Sequence, residues 1–169
     1  VEAFSFLERA VAKLGGLAIS WREWAKQYGL SLAKLVRERK IHPREIVRQA
    51  AAGVARVDDK LEGVLELFDD VLANPDSDRP ARTGRLYGVP IFLKDLGSGL
   101  AGRKREWGSR LRKGEICKAT DPTIANFLAG GMIPIGRSTC PEFGLTFDTS
   151  TSYLGKIKVT RNPWKLDRT

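Results

Sequence analysis

The sequence predicts an α/β fold in which N-terminal helices lead into the start of a mixed β-sheet covered by helices. Three observations carry this. Apolar residues recur at helical spacing through the first 72 positions. Two short apolar runs, Val89-Pro90-Ile91-Phe92-Leu93 and Met132-Ile133-Pro134-Ile135, show no alternation and read as strands buried on both faces. A helical pattern lies between those runs, which makes a βαβ unit and a parallel or mixed sheet.

The first helix carries Phe4, Leu7, Val11 and Leu14 on one face and stops at Gly15-Gly16. Ile19, Trp21, Trp24 and Tyr28 continue a partly helical pattern up to Gly29, so residues 1–28 read as a helical N-terminal extension. Ser31 is placed to cap a helix bearing Leu32, Leu35 and Val36. Pro43 suits a first helical turn, and Ile46, Val47, Ala50, Val54, Val57 and Leu61 form the stripe of a longer helix. The chain's single histidine, His42, falls beside that N-cap and reads as a surface residue rather than a catalytic one. Leu61 to Leu72 reads as a further amphipathic piece of the helical part, and residues 74–80, with two prolines, as a surface loop. After the strand at 89–93, where Pro90 belongs at the start or edge, Asp121-Pro122 opens a helix through Ile124, Phe127 and Leu128 that Gly130-Gly131 ends.

Composition narrows the function classes. The formal charge is +9, with basic residues gathered at Arg103, Lys104, Arg105, Arg110, Arg112 and Lys113 and again near the end of the sequence. Such runs are ordinarily solvated surface or partners for acidic groups, so nucleic acid is not expected as a partner. Cys117 and Cys140, the two cysteines, form no close pair, and with one histidine there is no metal-ligand spacing; no metal is expected. No apolar run approaches the length of a membrane span, and no signal-peptide pattern opens the sequence, which points to a cytoplasmic protein with reduced thiols.

Lys94 closes the first strand and precedes Asp95 and the Gly-rich turn Leu96-Gly97-Ser98-Gly99. Sites in α/β folds gather at the C-terminal ends of strands, and a lysine that loses water there becomes usable as a base. A lysine at a strand end more commonly just reaches solvent. Asp95, pointing to the opposite face, reads as a turn former or support. With only His42 available a Ser-His-Asp triad is nearly excluded, whereas serine chemistry driven by lysine stays open. None of Ser98, Ser109, Ser138, Ser150 and Ser152 sits on a nucleophile turn.

The segment Leu86-Tyr87-Gly88-Val89-Pro90-Ile91-Phe92-Leu93-Lys94-Asp95 resembles the lysine-bearing strand of the amidase signature family. Four further segments resemble that family in the right order after it: Trp107-Gly108-Ser109-Arg110, the helix start Ala119–Ile124, Gly136-Arg137-Ser138-Thr139-Cys140-Pro141-Glu142-Phe143-Gly144, and Thr160 to Thr169. Ser31 to Leu72 is similar to its N-terminal helix pair. Arg137 stands where the family usually has lysine, Ser138-Thr139 depart from its usual pair, and Lys156-Ile157-Lys158-Val159 lengthens the approach to the last motif.

This resemblance implies that residues 29–169 are the N-terminal part of an amidase signature domain, ending before its Gly/Ser-rich loop. It implies hydrolysis of a carboxylic amide to an acid and an amine or ammonia through an acyl-serine, with Lys94 as base, both serines in residues that follow this segment and no organic cofactor. Activity is then expected only with those residues, in the same chain or a second one. Gly144, Leu145 and Phe147 would line the acyl side of the substrate pocket. The partners expected are a small-molecule amide and the remainder of the domain; a homodimer stays open. Two other readings stand beside it: the A subunit of a tRNA-dependent amidotransferase, and a non-catalytic basic binding module.

Overall fold

A computed structural model describes residues 17–151 and 158–168. The helix expected from Phe4 to Leu14, as well as Ser152, lies outside them.

Helix α1, Trp21–Trp24, opens on a reciprocal cap: Glu23 N–H donates to Ser20 Oγ at 3.2 Å, and the Glu23 carboxylate accepts from Ser20 N–H at 2.9 Å. Helix α2, Gly29–Arg37, begins two residues before the expected cap at Ser31. The Ser31 hydroxyl is already inside the helix, where it accepts from Tyr28 N–H at 2.9 Å and donates to Tyr28 C=O at 2.8 Å. The longest helix, α3, runs Pro43–Leu61 with proline at its first position, as the sequence indicates. His42 is exposed and caps it: its Nδ1 accepts from Arg44 N–H at 3.1 Å, while Glu45 accepts from His42 N–H at 2.8 Å.

The stretch read as more amphipathic helix is instead strand β1, Val64–Leu67, followed by a short helix α4, Asp69–Ala73. Asp58 makes the difference. Its Oδ1 accepts from Gly63 N–H at 2.7 Å and Val64 N–H at 3.0 Å, and Glu62 takes the left-handed conformation at φ 50°, so the chain leaves α3 as a tight turn. Strand β2 is Pro90–Lys94, with Pro90 first as expected; α5 is Pro122–Ala129 and β3 is Ile133–Ser138. Short strands β4, Ser150–Thr151, and β5, Lys158–Val159, pair antiparallel.

The main sheet has the order β1-β3-β2. β1 is antiparallel to β3, with Glu66 opposite Arg137. Ile133 N–H donates to Val89 C=O and Asp95 N–H to Ser138 C=O, so residue numbers rise together and β2 runs parallel to β3. The sheet is therefore mixed. β3 is buried from Ile133 to Arg137, as expected of an apolar strand there, but β2 lies at an edge of the described sheet and is only half-buried from Pro90 to Phe92.

Two compact units divide the described residues. One holds those up to Arg56 with Phe68–Ile91 and Phe127–Ile135. One cluster of its core is Leu32, Ala33, Ile41, Ile46 and Val89, and Ala18, Ile19 and Trp24 from the N-terminal stretch pack against it. Each fully buried Ile or Leu of this kind contributes roughly 1.5–3 kcal/mol. The second unit holds Val57–Leu67, Phe92–Asn126 and the described residues from Gly136 on, and it contains every candidate site residue. Within it, Thr160 Oγ1 shares a 2.7 Å hydrogen bond with Thr139 Oγ1 and donates to Glu62 C=O at 3.1 Å, and Arg161 N–H donates to Leu61 C=O at 2.8 Å. These bonds seat the Thr160–Trp164 stretch beside the turn into β1.

Candidate active site

Successive residues of a strand point to opposite sides, and at the end of β2 this separates two charges. Lys94 is exposed, whereas Asp95 is fully buried. The Asp95 carboxylate accepts from Glu106 N–H and Gly108 N–H, each at 2.7 Å, and from Arg137 Nη1 at 2.7 Å. Arg137, 2 % exposed, extends the same guanidinium to Glu106 at 2.6 Å and Glu66 at 3.0 Å. A buried guanidinium needs such partners, and its planar fork reaches several carboxylates at once where an ammonium is a single point. That suits arginine at this position.

The loop that wraps Asp95 holds an unusual backbone. Trp107 is at φ 58°, a conformation costly for a bulky residue, and Gly108 follows at φ 64°. A Cβ on Gly108 would lie 2.7 Å from the Cys140 carbonyl oxygen, so both the angle and the space demand glycine. The Trp107 ring lies 6.3 Å from that of Phe143, itself at φ 51°, and the guanidinium of Arg112 stands 4.8 Å from its centroid. Ser109 is buried and donates to Glu142 at 2.7 Å; it is a structural hydroxyl.

Beyond the short 3-10 turn Glu142–Gly144, the chain bears two exposed apolar side chains, Leu145 at 80 % and Phe147 at 113 %. Neither is core. Gly144, at φ 72°, approaches Leu96, two residues past Lys94. Phe147 lines an open cleft of about 340 Å³ with Asp148, Thr149 and Thr160–Trp164; Gly144 and Leu145 are not among its walls. The structure thus brings Gly144 to the turn after β2 and Phe147 to a separate cleft that Trp164 shares. Sequence reasoning did not anticipate Arg137, Glu106 or Trp164 in these roles. The available signal was a charged residue inside an apolar strand, which burial obliges to find partners.

Basic residues 103–113 are largely engaged: Arg105 pairs with Asp121 at 2.7 Å, Lys104 with Glu66 at 3.7 Å, and Arg112 with Glu115. No helix among the described residues is long and apolar enough to cross a membrane.

A family model described as Amidase matches residues 45–169. The chain belongs to the amidase signature family. Among its relatives, the lipoamidase of Enterococcus faecalis is 29% identical over 143 residues, covering 84% of this chain and 19% of the relative. The glutamyl-tRNA(Gln) amidotransferase of Methanosarcina mazei has an A subunit that is 32% identical over 110 residues, 64% of this chain and 22% of the relative. The solved structure of 6-aminohexanoate cyclic dimer hydrolase superposes with a TM-score of 0.73 at 26% identity, over 83% of this chain and 28% of that one. This amidase signature chain spans 19% to 28% of the length of these curated relatives. Its mixed sheet and helices accord with the fold expected from the sequence.

Proposed function

We propose that this segment serves a serine amidase that hydrolyses a carboxylic amide to an acid and an amine or ammonia through an acyl-serine, with Lys94 as the base. The observation that carries the reading is an exposed lysine at the C-terminal end of β2, its neighbour Asp95 anchored behind it, in a chain of the amidase signature family. A lysine becomes a base when it is taken out of water. Here the side chain stands open at the strand end, so the desolvation belongs to the serine-bearing part of the enzyme once it covers Lys94. The exposed Leu145, Phe147 and Trp164 support such a covering.

In the reaction, neutral Lys94 draws a proton through a bridging serine as the nucleophilic serine attacks the amide carbonyl. The amine leaves with that proton, and water, activated by the same route, releases the acid. Gly144, Leu145 and Phe147 contribute to the acyl side, and the substrate is a small or medium organic amide.

Lys94→Ala in the full-length protein abolishes hydrolysis while circular dichroism stays that of the wild type; kcat falls by several orders of magnitude. Lys94→Arg fails as well, because guanidinium does not deprotonate. A variant that keeps a tenth of wild-type kcat removes Lys94 from the chemistry.

The similarity to the A subunit of an amidotransferase favours a second reading, in which the amide is glutamine and the ammonia is passed to an aminoacyl-tRNA. Dependence of glutamine hydrolysis on companion subunits, ATP and charged tRNA distinguishes it from a free-standing amidase.

A further inference from the structure

We infer that Asp95 is a positioning residue for Lys94: its buried carboxylate fixes the piece of backbone from which the lysine projects. The inference rests on the reading of Lys94 as the base.

The end of β2 is held at Asp95 from every direction. Its N–H donates to Ser138 C=O at 3.0 Å, and its C=O accepts from Trp107 N–H at 3.0 Å. Oδ1 accepts from Glu106 N–H and Arg137 Nη1, and Oδ2 from Gly108 N–H, all at 2.7 Å. The peptide that joins Lys94 to Asp95 is therefore tied to β3 through Asp95 N–H, while the next peptide and the Asp95 carboxylate are tied to the 106–108 loop. Beyond it Gly97 takes φ 68°, and a Cβ built there would meet nothing within 4 Å.

A lysine side chain is a flexible four-carbon stem, so the place of its nitrogen depends on how firmly its origin is fixed. Displacement of a reacting group by about 1 Å can lower a rate about 100-fold. Charge-assisted bonds from backbone N–H to a buried carboxylate are short and stiff, which suits them to this task. Arg137 keeps that carboxylate compensated, and through Glu106 and Glu66 it ties the loop and β1 to the same point.

The test uses the full-length protein and a fluorophosphonate probe, which labels an activated serine. The labelling endpoint counts folded sites, and the rate constant reports how well the base works. For Asp95→Asn the expected result is the wild-type endpoint with a rate about 100-fold lower, and an amide kcat reduced in parallel while KM changes less than about twofold. A merely structural role moves the other quantity: the endpoint falls and the labelled sites react at the wild-type rate. That result overturns the inference. Should Asp95→Asn not fold, Asp95→Glu decides, since it keeps the buried charge for Arg137 but shifts the carboxylate off its N–H donors; slow labelling to a full endpoint supports positioning, and a wild-type rate overturns it. Lys94→Ala separates the two levels. If Lys94→Ala labels slowly and the Asp95 variants label at the wild-type rate, positioning alone fails; if Lys94→Ala labels at the wild-type rate, the assignment of the base fails first.

Discussion

Cys140 is wholly buried, and burial pushes its thiol up to about 12, with the negative charge of Asp95 adding to the effect and Lys94 and Arg137 opposing it. The folded state thus holds the proton that the unfolded chain gives up near the ordinary value of 9.0. This group's contribution to stability is complete below that value and is lost as pH rises from there toward about 12. Near pH 8 the native thiolate is scarcer than in an unfolded chain by roughly a thousandfold. Iodoacetamide followed by mass spectrometry should therefore leave Cys140 unmodified in the native protein and label it after denaturation. Rapid native labelling contradicts the burial described. The neighbouring Gly108 is as constrained as the sulfur, because any side chain there meets the Cys140 carbonyl.

Between α3 and β1, one carboxylate converts a helix into a strand. Asp58 is buried and accepts two N–H groups that a continuing helix would have used within itself. Hydrogen bonds to a charged group contribute about 1.5–3 kcal/mol, and leaving their half-buried donors unpaired costs more than losing an exposed pair. Asp58→Ala should lower stability by about 2–3 kcal/mol, read as a fall in thermal midpoint, whereas removal of the exposed Lys34–Glu38 pair should leave that midpoint nearly unchanged. Equal effects from the two variants contradict the role given to Asp58. The same junction seats Thr160 and Arg161, so Asp58→Ala should also loosen the cleft that Phe147 and Trp164 line.

Across the whole molecule, the net charge of +9 belongs less to one patch than its sequence suggests, since Lys104, Arg105 and Arg112 are spent on Glu66, Asp121 and Glu115. A protein that binds nucleic acid through free cations loses affinity steeply with salt. Fluorescence anisotropy with a labelled single-stranded oligonucleotide should show no such salt-steep binding here; a clear slope revives the basic-module reading. Among the described residues, Leu145, Phe147 and Trp164 are, with Leu111, the most exposed of the large apolar side chains. Leu145→Ala and Phe147→Ala should change the preference between short and bulky acyl amides by about 1–3 kcal/mol in relative kcat/KM. Thermal stability should barely change, because neither side chain is part of the core. Unchanged preference in both variants removes them from the acyl pocket.

What the sequence determined by itself is what local spacing and chemistry encode. Pro43 opens a helix, Pro90 begins a strand, Gly130-Gly131 ends α5, and the ordered motifs around Lys94 identify the family; each depends on neighbours in the chain or on a pattern held within a few residues. Other features were settled only by tertiary structure. Val64–Leu67 is too short for its period to separate strand from helix, and its fate rests on pairing with β3, about seventy residues away. The start of α2 moved because a serine hydroxyl serves as well inside the first turn as before it. Most of all, Asp95, Glu106 and Arg137 form one buried cluster from three distant segments. No spacing rule links them. They are joined because charges withdrawn from water must be compensated by whichever partners the fold brings within reach.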